Sequence, residues 1–135
     1  MSSNITSVQY LEKPVTTDEI KIASLLERTI KAIATKDLEL LVSVYSDTAS
    51  IEMEASRGMF SSKSEYRARM SKGIERIRNI YFRNTIIRVN VQEAIISCVT
   101  AVLLRGKAFP EKNQRYFKCV KEGEEWHIVE ARYIA

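Results

Sequence analysis

The chain of 135 residues is poor in glycine (4), proline (2) and cysteine (2), and it has a single histidine. So few breakers exclude a linker-dominated or low-complexity chain. Cys98, Cys119 and His127 form neither a metal-ligand spacing nor a C-x-x-C pair, so no metal and no cofactor is expected. No apolar run approaches the roughly 18 residues of a membrane helix. The first 17 residues show no basic stretch followed by an apolar one, so the expected setting is cytoplasmic, without membrane association. There is no RNP-like aromatic pair, zinc-finger spacing or Gly-rich phosphate loop, and no nucleic-acid partner is expected. Nor does the spacing support a Ser-His-Asp or Cys-His catalytic arrangement.

What is present is 45% hydrophobic and 28% charged residues, enough for one domain that buries about two-thirds of its unfolded surface. The expected division is a flexible or docked tail over residues 1–15 and one domain over 16–135. The net charge of +4 is unevenly spread. Residues 1–56 hold 5 basic and 9 acidic side chains, whereas residues 57–88 hold 9 basic and 2 acidic. Such a segment either attracts an anionic partner or forms a solvated face matched by the acidic residues of the first 56 positions.

A Thr16-x-x-Glu19 capping box opens a helix whose Ile22, Leu26, Ile30 and Ile33 form one apolar stripe to about Lys36. Asp37 caps a second, shorter helix through Leu38, Leu41, Val42 and Tyr45. Residues 49–54 alternate like a half-buried strand, and Arg57-Gly58 marks a turn. Ser62 and Glu65 start a third helix to about Arg78, with Tyr66, Met70, Ile74 and Ile77 inward. Residues 81–91, 94–105, 113–121 and 126–134 read as strands, with a tight hairpin at Gln92-Glu93. Cys98 and Cys119 lie equally far from the loop at Ala108-Phe109, which predicts two buried thiols facing each other across a hairpin. The fold class is α+β: a curved antiparallel sheet wrapped around three N-terminal helices, a cone-shaped half barrel with a pocket on its concave face. Two-sided apolar strands such as Ser97 to Leu104 point to a homodimer through the outer sheet.

The stretch AIATKDLELLVSVYSDTASI, with an alanine-rich helix end, Asp, a short helix ending in Tyr, then Asp-x-Ala and a strand, resembles the signature of SnoaL-like proteins. These share the nuclear transport factor 2-like, cystatin-like cone fold. IRVNVQEAIISCVTAVLL and VKEGEEWHIVEARY resemble the central hairpin and terminal strand of that fold, so the likeness spans about residues 17–134. Compared with the related ketosteroid isomerase, the catalytic positions are replaced. The base falls at Met53, the oxyanion tyrosine at Thr29 and the second donor at Tyr116, while Tyr45 is matched and the third-helix tyrosine falls at Met70. A thioether cannot abstract a proton, so the isomerase reaction is not expected.

The resemblance thus implies a cavity lined by Thr29, Tyr45, Met53, Met70, Tyr116 and Tyr133, suited to an apolar or aromatic small molecule, although each could equally be core. The implied register pairs Tyr116 and Tyr133 on one face through a loop of even length around Gly123. An odd loop would instead place His127 with Tyr133 and Cys119. His127 is the candidate general acid or base, and Glu52, Glu54 and Glu130 are expected to face away from the cavity. The leading function is ligand binding in the cone. One alternative is an oligomerisation or scaffold domain holding an acidic partner on the basic third helix, and another is a lyase- or isomerase-type enzyme with a different catalytic set.

Overall fold

The structure, a computed structural model, describes residues 8–52, 59–60 and 62–134. Helix α1 spans Thr17–Thr35. The Thr16 hydroxyl accepts from the Glu19 N–H, and the Glu19 carboxylate accepts from the Thr16 N–H, completing the capping box. Its buried residues, Ile22, Ala23, Leu25, Leu26, Thr29, Ala32 and Ile33, recur every three or four positions and face the sheet. Lys36 ends the helix in the left-handed conformation, φ +56°.

Helix α2 covers only Leu38–Val42 behind its Asp37 cap, shorter than the spacing predicts. Strand pairing outcompetes its last turn. The Val44 carbonyl accepts from the Ile128 N–H at 2.8 Å, and Tyr45 begins strand β2, Tyr45–Glu52. Helix α3, Lys63–Gly73, likewise stops early, passing through one 3₁₀ turn, Ile74–Arg76, into a long strand that starts at Ile77 rather than extending the helix to Arg78. The predicted turn at Arg57-Gly58 lies outside the described residues.

The remaining strands are β1 (Val8–Tyr10), β3 (Met59–Phe60), β4 (Ile77–Asn90), β5 (Glu93–Leu104), β6 (Glu111–Glu122) and β7 (Glu125–Tyr133). They form one open sheet in the order β1-β4-β5-β6-β7-β2-β3. The central pairs are antiparallel, as predicted, whereas β1 joins β4 and β2 joins β7 in parallel. Part of the predicted N-terminal tail is therefore an edge strand. The hairpin between β4 and β5 turns at Val91-Gln92, with Val91 at φ +57°.

Lateral register identifies the concave face. Ile87, Ile96, Phe117, Ala131 and Ile51 lie in one row across β4, β5, β6, β7 and β2, and all five are buried. A second row runs Val89, Ala94, Cys119, Ile128 and Tyr45. The helices cover these rows, and burial of this apolar surface is the main stabilising term. Both cysteines are free and buried on this face, but they are not opposite each other. Cys98 faces Arg115 and Cys119 faces Ala94, because the β5-β6 loop is centred two residues earlier than the even Cys spacing suggests.

Candidate functional site

The last hairpin turns at Gly123-Glu124, where φ of +66° at Gly123 suits a residue without a side chain, and Glu122 pairs with Glu125. That loop is even, as expected, yet the expected face is overturned farther along. Lys118 pairs with Glu130 while Cys119 pairs with Ile128, so Val129 is an extra residue in β7. A one-residue bulge reverses which side chains share a face. Tyr133 consequently lies opposite Arg115, and Tyr116 lies opposite Arg132 and Ser97 on the other face of the sheet. The pairing of Tyr116 with Tyr133 in one pocket is thereby corrected.

His127 also stands on the outer face, opposite Val120. Its Nδ1 lies 3.2 Å from the Glu122 carboxylate, an ion pair when the ring is protonated, though without the alignment of a hydrogen bond. Glu130 pairs with Arg132 at 2.8 Å, and the Glu52 carboxylate accepts from the Tyr133 N–H at 2.8 Å.

The inner face brings together a different set. Tyr45 on β2 and Tyr66 on α3 are buried edge to face, with ring centroids 4.9 Å apart and planes at 61°. Burial holds the Tyr66 phenol well above its ordinary range, and the neighbouring Tyr45 adds to this. Burial raises Tyr45 as well, partly opposed by the cation of Arg115. Met70, one helical turn after Tyr66, is buried on the same side of α3. Thr29 is buried on α1, but its hydroxyl donates to the Leu25 carbonyl at 2.9 Å and is already satisfied. Met53 lies outside the described residues.

The side chain missed from sequence is Arg115. Its guanidinium carbon lies 4.2 Å from the centroid of the Tyr133 ring and 5.0 Å from that of Phe117. One terminal nitrogen donates to the Glu52 carbonyl, while the Nε is buried without a partner. No carboxylate pairs with it among the described residues. An unpaired donor in a low-dielectric setting costs about 1–3 kcal/mol unless something accepts from it. Parity carried the signal: Arg115 alternates in step with Phe117 and Cys119, the buried residues of β6. Arginine is so commonly exposed that the signal is easily discarded.

The cluster can do two things chemically. Its rings offer flat apolar contact, and Arg115 can orient an electron-rich atom. The thiol of Cys98, opposite Arg115, is pushed up to about 12 by burial and is not a nucleophile at neutral pH. Among the described residues no group of three or more His, Cys, Asp or Glu could hold a metal ion, and no helix is long and apolar enough to cross a membrane.

No family model matches the chain, and no curated protein matches it. Solved structures do. A protein from Xanthomonas campestris, provisionally named a calcium/calmodulin-dependent protein kinase II association domain, superposes with a TM-score of 0.77 at 14% identity, covering 96% of each chain. A protein of unknown function with a cystatin-like fold from Nostoc punctiforme gives 0.74 at 16% identity, over 90% of this chain and 93% of that one. A dehydratase, also provisionally named, from the nuclear transport factor 2-like family of Streptomyces avermitilis gives 0.68 at 12%, over 87% and 95%. The fold is thus the α+β cone of nuclear transport factor 2-like, cystatin-like proteins, as the sequence resemblance implied. Likeness at this level of identity defines architecture and leaves activity to the site.

Proposed function

We propose that this chain binds an apolar or aromatic small molecule in the interior of its cone. The observation that carries the reading is Arg115: a cation set between the rings of Tyr133 and Phe117, beside the Tyr45–Tyr66 pair, with a buried donor left over. An aromatic ligand stacks on such rings and presents its polar end to the guanidinium. The test is titration with 2-naphthol and naphthalene, followed by nuclear magnetic resonance of the labelled protein. Binding of 2-naphthol that weakens about tenfold, or about 1.4 kcal/mol, in Arg115→Met supports the reading. Absence of binding, or binding indifferent to this substitution, overturns it.

The same reading includes a homodimer through the outer sheet. Tyr81, Val99, Leu103 and Tyr116 are half-buried there, and Ile95 is 38% exposed, so the face is more apolar than a solvated sheet requires. Sedimentation that gives twice the monomer mass supports the pairing; a monomer at all concentrations rejects it.

A further inference from the structure

The basic segment is only partly matched within the chain. Lys63 pairs with Asp47 at 3.7 Å, Arg67 pairs with Glu39, and Arg88 makes a two-pronged contact with Glu12 at 2.8 Å. All three partners come from the acidic first 56 residues, and they compensate two of the four basic side chains of helix α3, Lys63 and Arg67, together with Arg88 of β4. Arg78 is different. It lines a surface cavity of about 430 Å³ together with Lys36, Arg105, Ala34 and Gly106, where the end of α1 meets the paired ends of β4 and β5.

Three cations share this cavity, and none has a carboxylate partner among the described residues. The Lys36 ammonium donates to the Ile77 carbonyl, which draws it toward the start of β4. The nearest acidic residue in sequence, Asp37, is committed as a helix cap, accepting from the Leu40 N–H at 3.1 Å. Like charges gathered without a counterion repel one another and raise the local potential. The volume falls within the roughly 300–1,000 Å³ of small-ligand sites. The other two lining residues are small, and there is no aromatic ring to stack a base and no large apolar side chain to seat a hydrophobic body. Gly106, at φ +80°, has nothing within 4 Å of the place where a Cβ would stand, so this wall is open.

We propose that this cavity binds a compact phosphorylated anion, held by the forks of Arg78 and Arg105 and the point charge of Lys36. A guanidinium offers parallel N–H donors that match two phosphoryl oxygens, and three positive charges balance a diphosphate better than a monoanion. The site uses none of the side chains on the inner face of the cone, so it stands or falls independently of the ligand reading above.

The probe is inorganic pyrophosphate, titrated into the full chain at low ionic strength by calorimetry and by amide resonance shifts. Saturable binding is expected, with shifts centred on Lys36, Arg78 and Gly106, and affinity falling at least tenfold in Arg78→Glu/Arg105→Glu. The matched control is Arg69→Glu/Arg83→Glu, which changes net charge equally away from the cavity and should leave affinity within about twofold. If charge reversal disturbs folding, Arg78→Ala and Arg105→Ala carry the same comparison with an expected loss of about threefold or more each. No saturable binding, an equal loss in the control, or equally tight binding of citrate each overturns the proposal.

Discussion

Arg115 and the trio of Lys36, Arg78 and Arg105 are cations of one sheet and its margins, yet their surroundings differ. Arg115 is wedged between rings on the concave face, with a donor that water does not reach. Arg78 and Arg105 are exposed, and Lys36 is half-buried at the rim of an open cavity. The contrast separates two uses of positive charge. A desolvated cation interacts strongly with one well-placed group and costs stability when left unpaired. Exposed cations attract through a summed field that salt screens within about 10 Å at 0.1 M, and each costs little to remove.

The sharpest way to test this contrast is to damage the packing around Arg115. Phe117→Ala, in the fully buried middle row, is expected to lose about 3–5 kcal/mol by urea denaturation. A second effect appears with alkali. The Cys98 and Cys119 thiols are pushed up to about 12 by burial, against an ordinary 9.0. The unfolded chain therefore ionises first, so stability is complete below pH 9 and declines as pH rises from there toward 12. The raised phenols of Tyr45 and Tyr66 add to that decline above pH 10. Urea midpoints at pH 8 and pH 10.5 measure it, and Cys98→Ala/Cys119→Ala should flatten the first part of the slope. Native thiols should also resist alkylation at pH 8.

A smaller change, on the order of 1 kcal/mol, is expected for Arg115→Met, and in the stabilising direction, because a half-buried cation with a buried, unpartnered Nε and no carboxylate is exchanged for a thioether of similar length. A clear loss of stability would instead make Arg115 a structural strut. Smallest of all, Arg78→Ala and Arg105→Ala should each move stability by no more than about 0.5 kcal/mol, since both side chains are exposed. The cleft then shows itself only in salt-sensitive anion binding, which separates it from the interior.

The helices were readable because their signals are local. Thr16 with Glu19, Asp37, and Ser62 ahead of Glu65 each cap at the predicted place. Their far ends were not, since the pairing of Tyr45 with Ile128 and of Ile77 with Leu104 depends on strands remote in sequence. The site was readable in part. Tyr45, Met70 and Thr29, which the resemblance implied as cavity lining, are buried, and Tyr66 was visible as an inward position of α3. Tyr116 was misplaced because alternation carries a face along a strand only while the register is unbroken, and Val129 breaks it.

Composition, capping and periodicity in this sequence determined an α+β domain, three helix starts, a β-rich second half and an excess of basic residues between 57 and 88, for all of these are properties of neighbouring residues. Which cations remain unmatched, and which aromatic rings meet, was decided by the tertiary structure alone. Both depend on the pairing of segments as remote in sequence as Tyr45 and Ile128, and a single inserted residue there exchanges the inside of the sheet for the outside.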